Sequence, residues 1–309
     1  SAAAVLGGGA QACSHEPMVP SPSFYKTYKG HAVRLLQEVL EGLRRRHRAV
    51  IYLAGDSSLD NKYWIDAQKA AVNGYEAILD PPRMKADVCY WLNAELAQRS
   101  PGSMCALNTA VEASTLGERV GGWTGYCLLE QDEFIRDNIS AEDYLVVSVG
   151  GNDIALAPTL STIACILTLV YTASDGAIRD GNAWGLGHFI GMFRDQLQSY
   201  IELLVERTKP RKVLVCMIYY PDVSGVGSWA DFALSALSYN SDPQRLQAAI
   251  SAVFEHAVSQ IRVEGTEVVP VPLFQVLDGS DTSDYVHRVE PSELGGKKLA
   301  SSLLEKIVE

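Results

Sequence analysis

A serine on a turn that follows a buried strand is the first candidate for chemistry. Ser57 lies in the stretch 55–60, Gly-Asp-Ser-Ser-Leu-Asp, directly after the apolar run 49–54. That run is short, β-branched and aromatic-rich, which predicts a buried strand. Ligands of open α/β sheets bind just past the carboxyl ends of strands, so Ser57 is placed to act as a nucleophile. The alternative is that Asp56 and Ser57 only cap the next helix.

Two later stretches carry groups that complement a nucleophilic serine. Asn152 lies in Gly-Gly-Asn-Asp at 150–153, after a second buried-strand pattern, 144–149. Asp284 and His287 lie in Asp-Tyr-Val-His, just before the last amphipathic helix. An imidazole can take the serine proton, and an amide can donate a hydrogen bond to an oxyanion.

Together the three stretches resemble the SGNH, or GDSL, hydrolase family from about Val50 to the C-terminus. The resemblance implies an esterase or lipase in which Ser57 is the nucleophile and His287 is the base. It implies that Asp284 orients the imidazole, with Asp281 as a less well spaced substitute. It also implies an oxyanion hole made by the Ser57 N–H, the Asn152 amide and a third donor. No Gly-x-Ser-x-Gly motif is present, which disfavours the common α/β-hydrolase.

The third oxyanion donor falls in a block that departs from the family pattern. Where the family has Asn-x-Gly-x-x-Gly, this chain has alanine at both glycine positions of 108–113. Ala113 can still offer its N–H if its φ is negative, whereas a positive φ predicts a shifted residue and a weaker hole. A second departure is the histidine loop. The family's proline lies nearer to its histidine than Pro291 lies to His287.

Composition excludes several classes of partner. The 309 residues are 47 % hydrophobic with a mean hydropathy of +0.02, which predicts a globular protein with a sizeable core. The net charge of −11 would repel a nucleic-acid backbone, so the basic run 44–48 is interpreted as a helix C-terminus. The predicted partner is a small-molecule ester, with no nucleic acid and no membrane span. Peripheral contact with lipid and the oligomeric state are left open.

The cysteines and histidines predict neither a disulfide framework nor a metal site. Six cysteines are present without the spacing of either, and no cofactor is predicted. Cys89, Cys105, Cys165 and Cys216 have apolar surroundings and are predicted to be buried free thiols. Reduced cysteines slightly favour a cytoplasmic protein, whereas the sequon at Asn138 keeps a secretory protein open.

The order of strand and helix patterns predicts the architecture. Strands and helices alternate about five times, which predicts an α/β fold with a parallel sheet covered on both faces. In a flavodoxin-like strand order, Ser57 and Asn152 leave the first and third strands and meet at the switch point. The family's three-layer α/β/α sandwich agrees with this. Residues 1–22 are predicted to be a disordered or processed segment, and 23–309 a single domain with an insertion at about 154–191.

The uncharged stretch Ile154 to Ser174 approaches the length of a membrane span. A single crossing would place Ser57 and His287 on opposite sides of a membrane, and Pro158 argues against one uninterrupted helix. The stretch is therefore interpreted as a lid over an acyl site or as a core helix. The sequence also leaves open an acyltransferase and a binding protein that has lost catalysis.

Overall fold

The computed structural model of the protein describes residues 18–120 and 127–309. Most of the predicted N-terminal segment, 1–17, and Cys13 with it, lies outside the described residues. Regular structure nevertheless begins earlier than predicted. Val19–Pro20 forms a short strand parallel to Leu79–Asp80, and Ser21–Phe24 forms one helical turn. The prediction of no regular structure up to Pro22 is wrong at 19–22, because the Val19 and Phe24 side chains are buried in the core.

The central sheet has five strands, all parallel. They are β1 (Ala49–Gly55), β2 (Met104–Asn108), β3 (Tyr144–Ser148), β4 (Lys212–Met217) and β5 (Glu267–Pro272). Their spatial order is β2-β1-β3-β4-β5. The predicted α/β class, the parallel sheet and its flavodoxin-like order are confirmed. Every residue of β1 is buried, as its continuous apolar run predicts.

Helices cover the sheet through two separate apolar clusters. In β1, Val50 and Tyr52 join one cluster, whereas Ile51 and Leu53 join the other, because successive side chains of a strand point to opposite faces. The first cluster includes residues of α1 (Val33–Arg44), α3 (Glu130–Asn138), α4 (Leu160–Tyr171), α5 (Leu197–Leu204) and α6 (Pro243–His256). The second includes residues of α2 (Val88–Arg99) and α7 (Glu293–Val308).

Shorter elements connect these helices and strands. The short helices are Leu116–Val120, Gly151–Ala155, Asp175–Arg179, Leu186–Ile190 and Asp231–Ala236, with a π-helical turn at Gly191–Gln196. The 3₁₀ turns are Asn61–Trp64, Tyr75–Ala77, Val258–Gln260, Leu273–Gln275 and Thr282–Asp284. Two antiparallel pairs complete the set, Gln68–Ala70 with Arg83–Lys85 and Tyr285–Val286 with Glu290–Pro291.

The polar sequence of 60–72 predicts a helix, and this prediction is wrong. Only the 3₁₀ turn Asn61–Trp64 and the strand Gln68–Ala70 form there. The Asn61 side chain accepts from the Val88 N–H at 3.1 Å and donates to the Pro291 carbonyl at 3.0 Å. These long-range bonds hold the buried Asn61 side chain, and with it the 3₁₀ turn that forms in place of the helix.

The uncharged stretch 154–174 is interrupted rather than continuous. It begins in the short helix Gly151–Ala155, and α4 starts afresh at Leu160 after a cap in which the Thr159 hydroxyl accepts from the Thr162 N–H. Within 18–120 and 127–309, no helix is long and apolar enough to cross a membrane.

Candidate active site

The turn that carries Ser57 is fixed by the close approach of β1 to β3. Gly55 has φ +132°, and a Cβ there would lie 1.8 Å from the Ser148 carbonyl oxygen, so only glycine fits. The Asp56 N–H donates to that same carbonyl at 3.0 Å. Ser58 donates to the Asp56 carboxylate from its N–H at 3.0 Å and its hydroxyl at 2.8 Å. Asp56 and Ser58 therefore hold the turn while Ser57 is left at the lining of a cavity.

The structure brings Ser57 and Asn152 to one cavity. Asn152 lies in the helix that follows Gly150, and both side chains line a cavity that Trp229 and Glu290 also line. The Asn152 amide donates to the Ser114 carbonyl at 2.9 Å, which fixes its orientation. The two residues leave β1 and β3, the strands between which the sequence places the switch point.

Ala113 lies beside this site in a left-handed conformation. Its φ is +57°, so the condition of a negative φ is not met. The chain before it is held in place, because the Val111 N–H donates to the Gly55 carbonyl at 2.9 Å and the Glu112 N–H to Asp60 at 2.9 Å. Ala113 lines an adjoining cavity together with Asn152 and Trp229. Within the described chain, neither the Ser57 N–H nor the Ala113 N–H has a hydrogen-bond acceptor.

The other two predicted site residues have different partners. The buried Asp284 carboxylate accepts from the Lys298 ammonium at 2.7 Å, and its second oxygen is buried without a partner. His287 is exposed at the tip of the hairpin 285–291. Its ring packs edge-on against Trp64, with 5.1 Å between the ring centroids. Across the part of the chain that the structure describes, no hydrogen bond joins the His287 ring to Ser57 or Asp284.

The hairpin is anchored on both sides of its tip. The Asp222 N–H donates to the Arg288 carbonyl at 2.8 Å, and the Arg288 guanidinium donates to Asp222 and Asp231. The Tyr219 hydroxyl donates to the Val289 carbonyl at 2.7 Å.

Glu290 is the residue that the sequence reasoning missed. It pairs with Val286 in the hairpin and is 1 % exposed. Burial raises the pKa of Glu290 to about 8, whereas the nearby Ser57 hydroxyl and Trp229 indole act on it in the opposite direction. Its Oε2 atom is buried without a hydrogen-bond partner. The available sequence signal was the place of Glu290 between His287 and Pro291, in the histidine loop that departs from the resembled pattern.

Glu112 is a second buried carboxyl at this end of the sheet. Its Oε1 atom accepts from the Tyr28 hydroxyl at 3.3 Å and the Trp64 indole at 3.4 Å, whereas Oε2 has no partner. Burial, followed by the charge of Glu290, raises the pKa of Glu112 to about 9. Burial likewise raises the pKa of Asp56 to about 6.

An apolar cavity adjoins the one that holds Ser57. The two share Ile154, Ile218 and Leu237, and the second extends between α4 and α6, with Ile166 and Leu169 in its lining. The segment 154–174 thus contributes to the wall of this cavity.

Among the cysteines in the described ranges, Cys89, Cys105 and Cys216 are free and buried, as predicted. Cys165 is free and half-buried, because it lies on α4 near the surface.

Comparison with known proteins gives matches only among solved structures. No protein-family model and no curated protein matches the chain. An extracellular lipase from Streptomyces rimosus is 11 % identical with a TM-score of 0.43, covering 83 % of this chain and 98 % of the lipase. A lipase/acylhydrolase from Enterococcus faecalis is 11 % identical with a TM-score of 0.41, over 84 % and 95 % of the two chains.

An acetyl xylan esterase variant from Geobacillus stearothermophilus is 13 % identical with a TM-score of 0.42, over 84 % and 94 % of the two chains.

Proposed function

We propose that this protein hydrolyses carboxylic esters, with Ser57 as the nucleophile. The observation that supports this best is the shared cavity, in which a buried serine on a strand-end turn lies with an oriented amide and a carboxyl group. The Ser57 hydroxyl attacks the ester carbonyl, the alcohol leaves, and water releases the acid from the serine ester.

The oxyanion is stabilised by donors that the fold leaves free. The N–H groups of Ser57 and Ala113 have no acceptor among residues 18–120 and 127–309. One N–H of the Asn152 amide is used by the Ser114 carbonyl, and the second is available. Fixed donors of this kind stabilise the charge that develops on the carbonyl oxygen without reorganising during the reaction.

The adjoining apolar cavity suits an acyl chain rather than a second polar group. The shared lining residues Ile154, Ile218 and Leu237 join it to the Ser57 cavity. Each methylene of a buried acyl chain contributes about 0.8 kcal/mol of transfer free energy, so longer esters bind more tightly.

A panel of p-nitrophenyl esters from acetate to palmitate tests the proposal. The wild-type protein is expected to hydrolyse them, and Ser57→Ala to fall to the buffer rate. The neighbouring Ser58→Ala is the matched control, because it removes bonds to Asp56 and Ser148 without removing the nucleophile. A Ser57→Ala protein as active as the wild type would overturn the proposal.

The acyl site is tested by filling the apolar cavity from α4. Ile166→Trp places a large ring in the cavity wall, whereas Ile163→Trp places it on the same helix at a position that is 40 % exposed. We expect Ile166→Trp to lower kcat/KM for octanoate and longer esters by about tenfold, the effect of losing roughly two buried methylenes, and to spare acetate. Equal losses on all chain lengths, or equal effects of both variants, would contradict an acyl chain in this cavity.

A second candidate is a binding protein that keeps the fold without catalysis. The observation that favours it is that, within residues 18–120 and 127–309, no hydrogen bond joins the exposed His287 ring to Ser57. This protein would bind an ester or its products in the same cavity and show no turnover on any member of the panel.

A further inference from the structure

We propose that the Glu290 carboxylate, and not an imidazole, takes the proton of the Ser57 hydroxyl. This inference rests on the proposed ester hydrolysis and names the catalytic base of that reaction. It replaces the base that the sequence motifs imply, His287, by a residue three positions further along the same hairpin.

Contact and position support the assignment. Glu290 lines the cavity with Ser57 and Asn152, and the Ser57 hydroxyl lies near enough to favour the ionised form of its carboxylate. The unpartnered Oε2 atom leaves an acceptor free for a proton in transit. His287, by contrast, is exposed and faces Trp64.

The fold holds Glu290 at this place from both sides. The preceding residue, Val289, is fixed because its carbonyl accepts a hydrogen bond from the Tyr219 hydroxyl at 2.7 Å. The following residue, Pro291, is fixed because its carbonyl accepts a hydrogen bond from the Asn61 side-chain amide at 3.0 Å. A base whose main chain is held on either side stays in the cavity that the serine lines, as general-base catalysis needs.

The groups around Glu290 make its carboxylate a stronger base than an exposed one. Ionisable groups from four separate segments of the chain interact electrostatically with Glu290. They are Tyr28, Asp56, Asp60, Glu112 and Tyr219. Lys62 neutralises one of them, Asp60, at 2.6 Å. Burial and the remaining negative charges favour the protonated form, so ionised Glu290 binds a proton with a pKa of about 8.

The proposed step balances atoms and charge. As the Ser57 oxygen forms a bond to the ester carbon, its proton moves to a Glu290 oxygen and the carbonyl electron pair moves to the oxyanion. When the oxyanion re-forms the carbonyl, the bond to the alcohol oxygen breaks and protonated Glu290 gives that oxygen its proton. Water then attacks the carbonyl carbon of the serine ester and gives one proton to Glu290. As the bond to the Ser57 oxygen breaks, Glu290 returns that proton to the Ser57 oxygen, which releases the acid and regenerates Ser57.

The pH dependence of kcat/KM on a short ester tests the assignment. Only ionised Glu290 acts as a base, so the wild-type rate rises with pH and reaches half its plateau near pH 8. An unperturbed imidazole base would give a midpoint near ~6.5. Glu290→Gln, which keeps the size of the side chain, is expected to lower kcat/KM by about 10²-fold or more and to remove the rise near pH 8.

Three further variants make the result decisive. Exposed Glu255→Gln is the matched control for the substitution itself. Glu290→Asp keeps a carboxylate and is expected to recover part of the lost rate with a pH-dependent profile. If His287→Gln abolishes the activity and Glu290→Gln spares it, the assignment is wrong and the hairpin must rearrange.

Failure of this inference is distinguishable from failure of the ester hydrolase itself. If Ser57→Ala is inactive but Glu290→Gln keeps the wild-type rate and profile, only the base is misassigned. If the wild-type protein has no Ser57-dependent activity, both proposals are overturned. Thermal unfolding of each variant establishes that a lost rate does not reflect a lost fold.

Discussion

Two groups of buried charges lie at the carboxyl end of the sheet, and they differ in how fully they are partnered. Arg119 and Asp132 form an ion pair at 2.8 Å with both side chains at most 1 % exposed, and Lys62 and Asp60 form another at 2.6 Å. The carboxyl groups of Glu112 and Glu290, by contrast, each keep one buried oxygen without a partner.

The partnered group holds the chain around the site. The Arg119 guanidinium also donates to the carbonyls of Thr115 and Gly55 and to the Ser114 hydroxyl. It thus ties the end of β1 to the loop that carries Ala113. Asp60 accepts from the N–H groups of Gly30 and Glu112 as well as from Lys62.

The unpartnered group lies where a ligand can reach it. Glu290 lines the cavity with Ser57, and Glu112 lines the adjoining one with Ala113. A buried carboxyl without full hydrogen bonding costs stability. Groups with strongly raised pKa values that line a cleft are candidates for function. The comparison therefore separates charges that support the fold from charges that are candidates for a role in the site.

The largest effect on stability is expected from breaking the partnered group. Asp132→Asn leaves the Arg119 charge buried without a counter-ion, which should lower the free energy of unfolding by about 3–5 kcal/mol. Exposed Asp137→Asn, whose partner Arg207 is 57 % exposed, is the control and should cost at most ~1 kcal/mol. Urea unfolding measures both, and similar costs for the two variants would refute a structural role for the buried pair.

A smaller, pH-dependent effect is expected from the unpartnered group. The pKa of Glu112 is raised from 4.5 to about 9, so the folded state binds its proton more tightly than the unfolded state. Between these values the wild-type protein loses stability as pH rises, and Glu112→Gln removes that part of the loss. The variant should match the wild type at pH 5 and exceed it by about 1–3 kcal/mol at pH 9.

The control for this experiment is Glu133→Gln, an exposed carboxylate on α3. Its difference from the wild type should be the same at both pH values. If Glu112→Gln is equally stabilising or destabilising at pH 5 and pH 9, the raised pKa of this carboxyl is refuted.

The smallest effect is expected at Ala113. A left-handed alanine costs about 1–2 kcal/mol, and glycine removes that strain but loses more chain entropy on folding. Ala113→Gly should therefore raise the free energy of unfolding by at most ~1 kcal/mol. Because Ala113 already has the left-handed conformation that glycine would adopt, its N–H keeps its direction in the variant and kcat should change little. A large loss of kcat in the folded variant would contradict this expectation and show that the block 108–113 is aligned wrongly.

The central sheet could be predicted because its signals are local. The run 49–54 is apolar throughout and is buried throughout, and Gly55 marks the point where β1 and β3 come closest. The meeting of Ser57 and Asn152 followed from strand order alone.

The side chains that surround Ser57 could not be predicted in the same way. His287 and Glu290 lie on one hairpin, and local sequence does not decide which of them faces the cavity. That choice depends on Arg288, whose partners Asp222 and Asp231 are more than fifty residues away. The prediction of a helix over 60–72 failed for a similar reason, because the Asn61 side chain forms hydrogen bonds with the distant residues Val88 and Pro291.

The most direct test of the account is where the protein becomes acylated or phosphonylated. A fluorophosphonate probe reacts with an activated serine, and mass spectrometry of the digested protein locates the adduct. The account predicts one adduct, on Ser57, that is absent in Ser57→Ala and retained in Ser58→Ala. An adduct on another residue, or no adduct in folded protein, would contradict Ser57 as the nucleophile.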